Sequence, residues 1–374
     1  MRDALAERLL AEMMGWTPED VARERPSLQA MAAYKYDEYQ QFYPGMRFVE
    51  SLALWLTQFT EGEERRIAYD FIRKRLVFCS SAEIAHLVSM AYPDHIRPLL
   101  LQRAAHLAGI PEKYIIKVAN STEFRVLRRQ SLFLGLSDGA RMDLFRRCNP
   151  ELSHEQIWQT YEISPERAEN MIEELALDLE QILRRKPDRD ESFFKMVFLL
   201  DDFSGSGLSY LREDAQSGAF TGKIAKLFKR LTDPQSKVSQ LVIPNDLHIC
   251  IVLYLATDQA RSHLERFLDV LFSGAIQGWS IEVVQQLTLE VSLHEGRDAE
   301  FLKLVDQYYD PSVENEHTEK GGTDVKKGFA GCALPVVLTH NTPNNSLFLL
   351  WANPEEGYRV RGLFPRISRH RGEP

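Results

Sequence analysis

Four strand-like stretches in the second half of the chain, the first two of them continuous apolar runs, constrain its fold more than anything else. They are MVFLL (196–200), HICIVLYLAT (248–257), SIEVVQQLTL (280–289) and ALPVVLTHN (333–341). Helical stretches separate them, around SYLREDAQ (209–216) and over DQARSHLERFLDVLF (258–272). Apolar strands alternating with helices bury both faces of the sheet, which makes the sheet parallel and the domain α/β. Leu132, Phe133, Leu134 and Leu136 read as a further short strand, followed by a turn at Ser137, Asp138 and Gly139 and then a helix.

Up to about residue 120 the periodicity is helical throughout, and no strand is expected. Phe48, Leu52, Leu54, Trp55 and Phe59 recur at three- and four-residue spacing, one apolar stripe. Ser80 or Ser81 caps the helix that follows. The predicted organisation is an all-α N-terminal domain (1–120) and an α/β domain (121–374). The second carries a helical insertion at about 149–187 and a mobile polar loop at about 312–328. The insertion reads as a helical hairpin, with a Ser153–Gln156 capping box and a second start at Ser164-Pro165. It resembles a helix-turn-helix in outline but carries more acid than base.

The 374 residues, 44% apolar and 26% charged, are ordinary for a globular protein. The net charge of −9 argues against a nucleic-acid-coating role, whose affinity comes from cationic contacts to phosphates. No apolar run approaches the roughly 20 residues that span a bilayer, and the amphipathic start lacks a signal peptide's apolar core. Cys79, Cys148, Cys250 and Cys332 are far apart and form no C-x-x-C pair, which points to free thiols and the cytoplasm.

The stretch VFLLDDFSGSG (197–207) carries the chemistry. Ligands of open parallel sheets bind beyond the carboxyl ends of strands, where Asp201 and Asp202 are expected. Ser204, Gly205, Ser206, Gly207 and Ser209 then lead into the expected helix. Such a loop turns N–H groups and hydroxyls toward an anion, and a helix N-terminus adds partial positive charge. A phosphate there leaves the carboxylates one sugar-width away, able to accept bonds from ribose hydroxyls. The metal-binding strand of a P-loop NTPase is rejected, because Gly222-Lys223 follows the acidic strand and lacks the hydroxyl. The remaining alternative is a plain turn with solvated aspartates.

The stretch is similar to the phosphoribosyl pyrophosphate (PRPP) motif of type I phosphoribosyltransferases. Val197–Leu200, Asp201, Asp202, Phe203–Gly205, Ser206, Gly207, Leu208 and Ser209 fill its slots, with Phe203 and Gly205 unusual in variable ones. The segments WLTQF, LVFCSSAEIAHL, LYLATDQA and above all CALPVVLTHNTPNNSLFLLW resemble the conflict-exapted phosphoribosyltransferase-like family of bacterial defence loci, from roughly residue 40 onward. The resemblance implies a type I phosphoribosyltransferase-like fold that binds PRPP or a nucleotide and acts at ribose C1 in an antiphage or conflict system. It implies Asp201 and Asp202 on the ribose hydroxyls, with indirect Mg²⁺ contact, and Ser204 to Ser209 on the 5′-phosphate. The alternative is a catalytically silent nucleotide sensor working with a partner protein.

Four further groups are candidates. The pyrophosphate loop of such proteins would be Ser137-Asp138-Gly139-Ala140-Arg141, with Arg141 as a bidentate phosphate contact; an ordinary strand-to-helix connection is the other reading. His340, as general acid or base, with Asn341, Asn344 and Asn345 should emerge at the ligand edge, or else form a fixed turn. Asp258 reads as a helix cap. Arg359, Arg361, Arg366, Arg369 and Arg371 form a basic tail, read as solvated rather than as a nucleic-acid strip.

Overall fold

The computed structural model describes residues 3–214, 217–314, 316–353 and 359–366. It holds two compact units, Met1–Glu83 with Thr288–Pro374, and Ile84–Leu287. Among the described residues the strands are β1 Val77–Cys79, β2 Ser131–Gly135, β3 Ile157–Trp158, β4 Met196–Ser204, β5 Arg212–Glu213, β6 Phe220–Thr221, β7 His248–Thr257, β8 Gly278–Leu287 and β9 Val336–Leu338.

The Ile84–Leu287 unit is built on a parallel five-stranded sheet in the order β3-β2-β4-β7-β8, the α/β architecture expected. The predicted boundary at residue 120 falls inside this unit. One sheet face packs Leu132, Leu134, Val197, Leu199, Ile249 and Ile251 against helices Pro165–Leu183, Lys223–Thr232 and Asp258–Phe272. On the other, Phe133 stacks on Phe198 at 5.1 Å and meets Phe145 of helix Met142–Cys148. Burial on both faces is what the unbroken apolar runs require.

Two local expectations fail in this unit. The first half of the predicted hairpin is not a helix. Its capping box closes a single turn, His154–Gln156, and Ile157 and Trp158 then pair with Phe133 and Leu134 as the edge strand. Strand pairing with a neighbour distant in sequence overrides the local signal. The predicted helix around SYLREDAQ is likewise absent over the described residues: Arg212 and Glu213 pair antiparallel with Thr221 and Phe220, and the helix starts only at Lys223.

His248, at the start of β7, is mostly buried, with Nε2 3.1 Å from Ser280 Oγ. Burial, then the charge of Arg103, lowers its pKa to about 4. A depressed value means stability that is whole above pH 6.5 and is lost as pH falls toward 4. We expect a loss of about 2–3 kcal/mol over that window, and a shallower pH dependence for His248→Gln, read by denaturant titration.

The other unit is mainly helical, with one two-stranded parallel sheet, β1 beside β9. β1 lies where no strand was predicted, and β9, the fourth apolar run, joins it rather than the main sheet. Helix Phe48–Leu56 buries Phe48, Leu52 and Trp55 of the predicted stripe, leaves Leu54 half-buried, and ends before the buried Phe59; Trp55 Nε1 donates to Leu349 O at 2.8 Å. Phe71 stacks on Phe301 at 3.8 Å. The polar run predicted as a mobile loop contributes Val313 and Val325 to this core. Ser80 is the cap of helix Ser81–Met90, its hydroxyl accepting from Glu83 N at 3.2 Å.

Candidate functional site

The strand order locates a ligand edge. From β2 the chain passes outward to β3, then returns to the other side of β2 for β4. The carboxyl ends of β2 and β4 therefore flank a topological switch point, the crevice where open α/β sheets bind ligands. The residues singled out at Ser137–Arg141 follow β2, and those at Asp201–Ser209 make up the end of β4 and the loop after it. They meet there: the Ser137 hydroxyl donates to Asp201 Oδ1.

The acids do not lie in the loop. β4 runs on to Ser204, with Asp201 paired in register with Leu253 and Phe203 with Leu255. Asp201 is only 1% exposed, and its carboxylate is engaged on both oxygens. Oδ1 takes the Ser137 hydroxyl and the Asp202 N–H; Oδ2 takes the Tyr210 hydroxyl at 2.8 Å and the Lys223 ammonium at 2.9 Å. Burial raises the Asp201 pKa, helped by Asp202, while Lys223 and Ser137 pull it back. Tyr210 is raised well above its ordinary value by burial and by both acids, so it stays a hydroxyl donor.

Asp202 is 8% exposed, and its Oδ1 accepts from Phe203 N at 2.9 Å. Gly139 packs flat on it: a Cβ there would stand 2.4 Å from Asp202 Cγ. The Asp138–Ala140 turn is braced from below by Tyr254, whose hydroxyl donates to Ala140 O at 2.7 Å. Arg141 then starts the next helix from a left-handed backbone, φ 48°.

The loop after β4 has the properties of an anion cradle. The N–H groups of Gly205 through Ser209 donate to no backbone carbonyl among the described residues. Ser204 Oγ is buried there without a hydrogen-bond partner. Ser206 is buried and Ser209 exposed. Thr257 Oγ1 donates to Gly205 O at 2.5 Å, and Gly207, at φ 78°, sits against Ala260 and His263, where a Cβ would lie 2.8 Å from the imidazole. The loop is thus held before any ligand arrives. The expected helix N-terminus is not part of it: Ser209 O and Tyr210 O accept from Lys223 N and Ile224 N at the start of Lys223–Thr232.

Sequence reasoning missed Lys223 and Tyr210. Gly222-Lys223 was tested only against the P-loop pattern, and no spacing rule connects Lys223 to Asp201, 22 residues away. His340, Asn341, Asn344 and Asn345 follow β9 in the helical unit. There Asn341 Oδ1 accepts from Thr342 N at 3.0 Å, and Asn345 Nδ2 donates to Phe329 O at 3.2 Å. The helix after β7 is capped by Thr257 rather than Asp258, because the Thr257 hydroxyl accepts from Ala260 N. Of the tail, Arg369 and Arg371 lie outside the described residues. Arg359 N donates to Asp310 Oδ2 and Arg366 N to Trp351 O.

The Mg²⁺ that the family resemblance implies does not suit the donors present. A magnesium ion needs open carboxylate or phosphate oxygens. Asp201 offers none while Lys223 sits on it, and among the described residues no three His, Cys, Asp or Glu side chains converge. No helix among the described residues is long and apolar enough to cross a membrane.

A parallel sheet with two acids at its switch point and a braced small-residue loop beyond them makes the Ile84–Leu287 unit an α/β unit. The family model PRTase-CE, the conflict-exapted PRTases, matches residues 52–366, and the chain belongs to that family. Comparisons with curated proteins and with solved structures found no match.

Proposed function

We propose that the crevice between β2 and β4 binds a phosphorylated ribose, PRPP or a nucleotide, and that the protein acts at ribose C1 in a bacterial antiphage or conflict system. One observation carries the reading. Five successive amides, Gly205 to Ser209, which donate to no backbone carbonyl among the described residues, follow the end of the strand that carries Asp201 and Asp202. Phosphate satisfies the amides and the Ser204 hydroxyl, and ribose hydroxyls donate to the acids, Asp202 foremost. The bond from C1 to pyrophosphate or base then breaks through an oxocarbenium-like state, and an acceptor base or water forms the new bond to C1, with the sugar held and no protein nucleophile needed.

A second reading, a silent nucleotide sensor acting with a partner protein, draws on the full engagement of Asp201 by Ser137, Tyr210 and Lys223. Labelled PRPP and nucleotides, followed for both binding and product, separate the two. Saturable binding lost in Asp202→Asn, with release of pyrophosphate or free base, supports the enzyme. The same binding without product supports the sensor. A wild-type protein that binds no phosphorylated ribose removes both. For the conflict role, phage protection in a bacterial host should vanish with Asp202→Asn.

A further inference from the structure

We propose that Lys223, held by Asp201, is the cation of this site, and that a phosphorylated ribose binds here without a divalent metal. The inference rests on reading the crevice as a phosphorylated-ribose pocket. It adds the residue that supplies the positive charge and gives Asp201 the part of a positioning residue.

The geometry is specific. The Lys223 ammonium stands 2.9 Å from Asp201 Oδ2. An ammonium has three donors, and its bond to Asp201 uses one. The side chain is 26% exposed, so its head reaches the rim of the site while Asp201 stays behind it at 1%. It also lies 5.0 Å from the centre of the Tyr210 ring, a cation–π contact.

Its backbone is tied to the loop. Lys223 N donates to Ser209 O at 3.3 Å and Ile224 N to Tyr210 O at 3.0 Å. Gly222 holds this junction at φ 109°, where a Cβ would come within 2.5 Å of Tyr210 O. The backbone of the lysine is therefore fixed to the end of the loop whose amides would take the phosphate. Stability alone does not account for the pair, since a buried ion pair is a weak stabiliser compared with apolar side chains of the same volume.

Isothermal titration with PRPP, in excess Mg²⁺ and in excess EDTA, tests this. The wild type should bind with affinities within about threefold in the two buffers. Lys223→Gln should lose about tenfold or more in EDTA and regain part of it with Mg²⁺, because the vacated carboxylate can then take a metal. Asp201→Asn/Lys223→Gln should lose as much and regain nothing. That neutral pair leaves no lone buried charge, and so it decides the matter if the single variant does not fold. Wild-type binding in Mg²⁺ only, or wild-type affinity for the double variant in EDTA, overturns the proposal. Binding in neither buffer overturns the phosphorylated-ribose reading, and this inference with it.

Discussion

Replacing Lys223 with methionine should lower stability by about 3–5 kcal/mol at pH 7, because it strands Asp201 as a buried carboxylate without its counter-charge. Asp201 would keep its two hydroxyl partners, but they cannot repay the desolvation of a full charge. The pH dependence carries the diagnosis. Burial already raises the Asp201 pKa, and removing the ammonium raises it further. A carboxyl whose folded pKa lies above its unfolded one favours folding at low pH and loses that contribution as pH rises through the folded value. The variant should therefore approach the wild type near pH 4 and fall away from it by pH 7. Adding Asp201→Asn should recover most of the loss. Denaturant titrations of the wild type, the single and the double variant across pH 4–8 measure all three. A penalty independent of pH would mean that Lys223 acts by packing alone.

Gly139→Val should disable the site while leaving the rest of the sheet folded. Even one carbon at that position would meet Asp202 Cγ and Oδ2 at 2.4 Å, closer than real contacts allow. The turn cannot back away, since Tyr254 holds Ala140 O and Ser137 holds Asp201. Asp202 must swing aside, and valine's second branch leaves it no return. Overpacking of this kind costs about 1–3 kcal/mol, and a ligand that needs Asp202 in place should bind roughly 10- to 100-fold more weakly. Gly139→Ala should show a smaller effect of the same sign. Titration with PRPP beside a thermal melt separates lost affinity from lost fold.

Much of this arrangement was legible in the residues. The runs at 196–200 and 248–257 are apolar without interruption because both faces of β4 and β7 are covered, and such strands are parallel. The small residues after Asp202 marked an anion loop, and the turn at 137–141 was singled out as its companion. Other features were not legible, for identifiable reasons. Ile157 and Trp158 became strand because Phe133 and Leu134 offered an edge. The fourth apolar run, at Val336–Leu338, paired with Val77–Cys79 at the far end of the sequence. Strand pairing is a contact between distant segments, and alternation patterns say that a strand needs a neighbour without saying which. The HNTPNNS string, the most specific part of the family resemblance, lies in the helical unit, where Asn341 and Asn345 bond to nearby backbone.

Sequence alone therefore determined the parallel α/β character and the acid pair at the end of a buried strand, because burial and backbone freedom are properties of local residue types. Only the tertiary structure decided that β2 and β4 are neighbours at a switch point, and that Lys223 stands on Asp201. A charge 22 residues away becomes a partner only when the chain has folded back and removed water from between them.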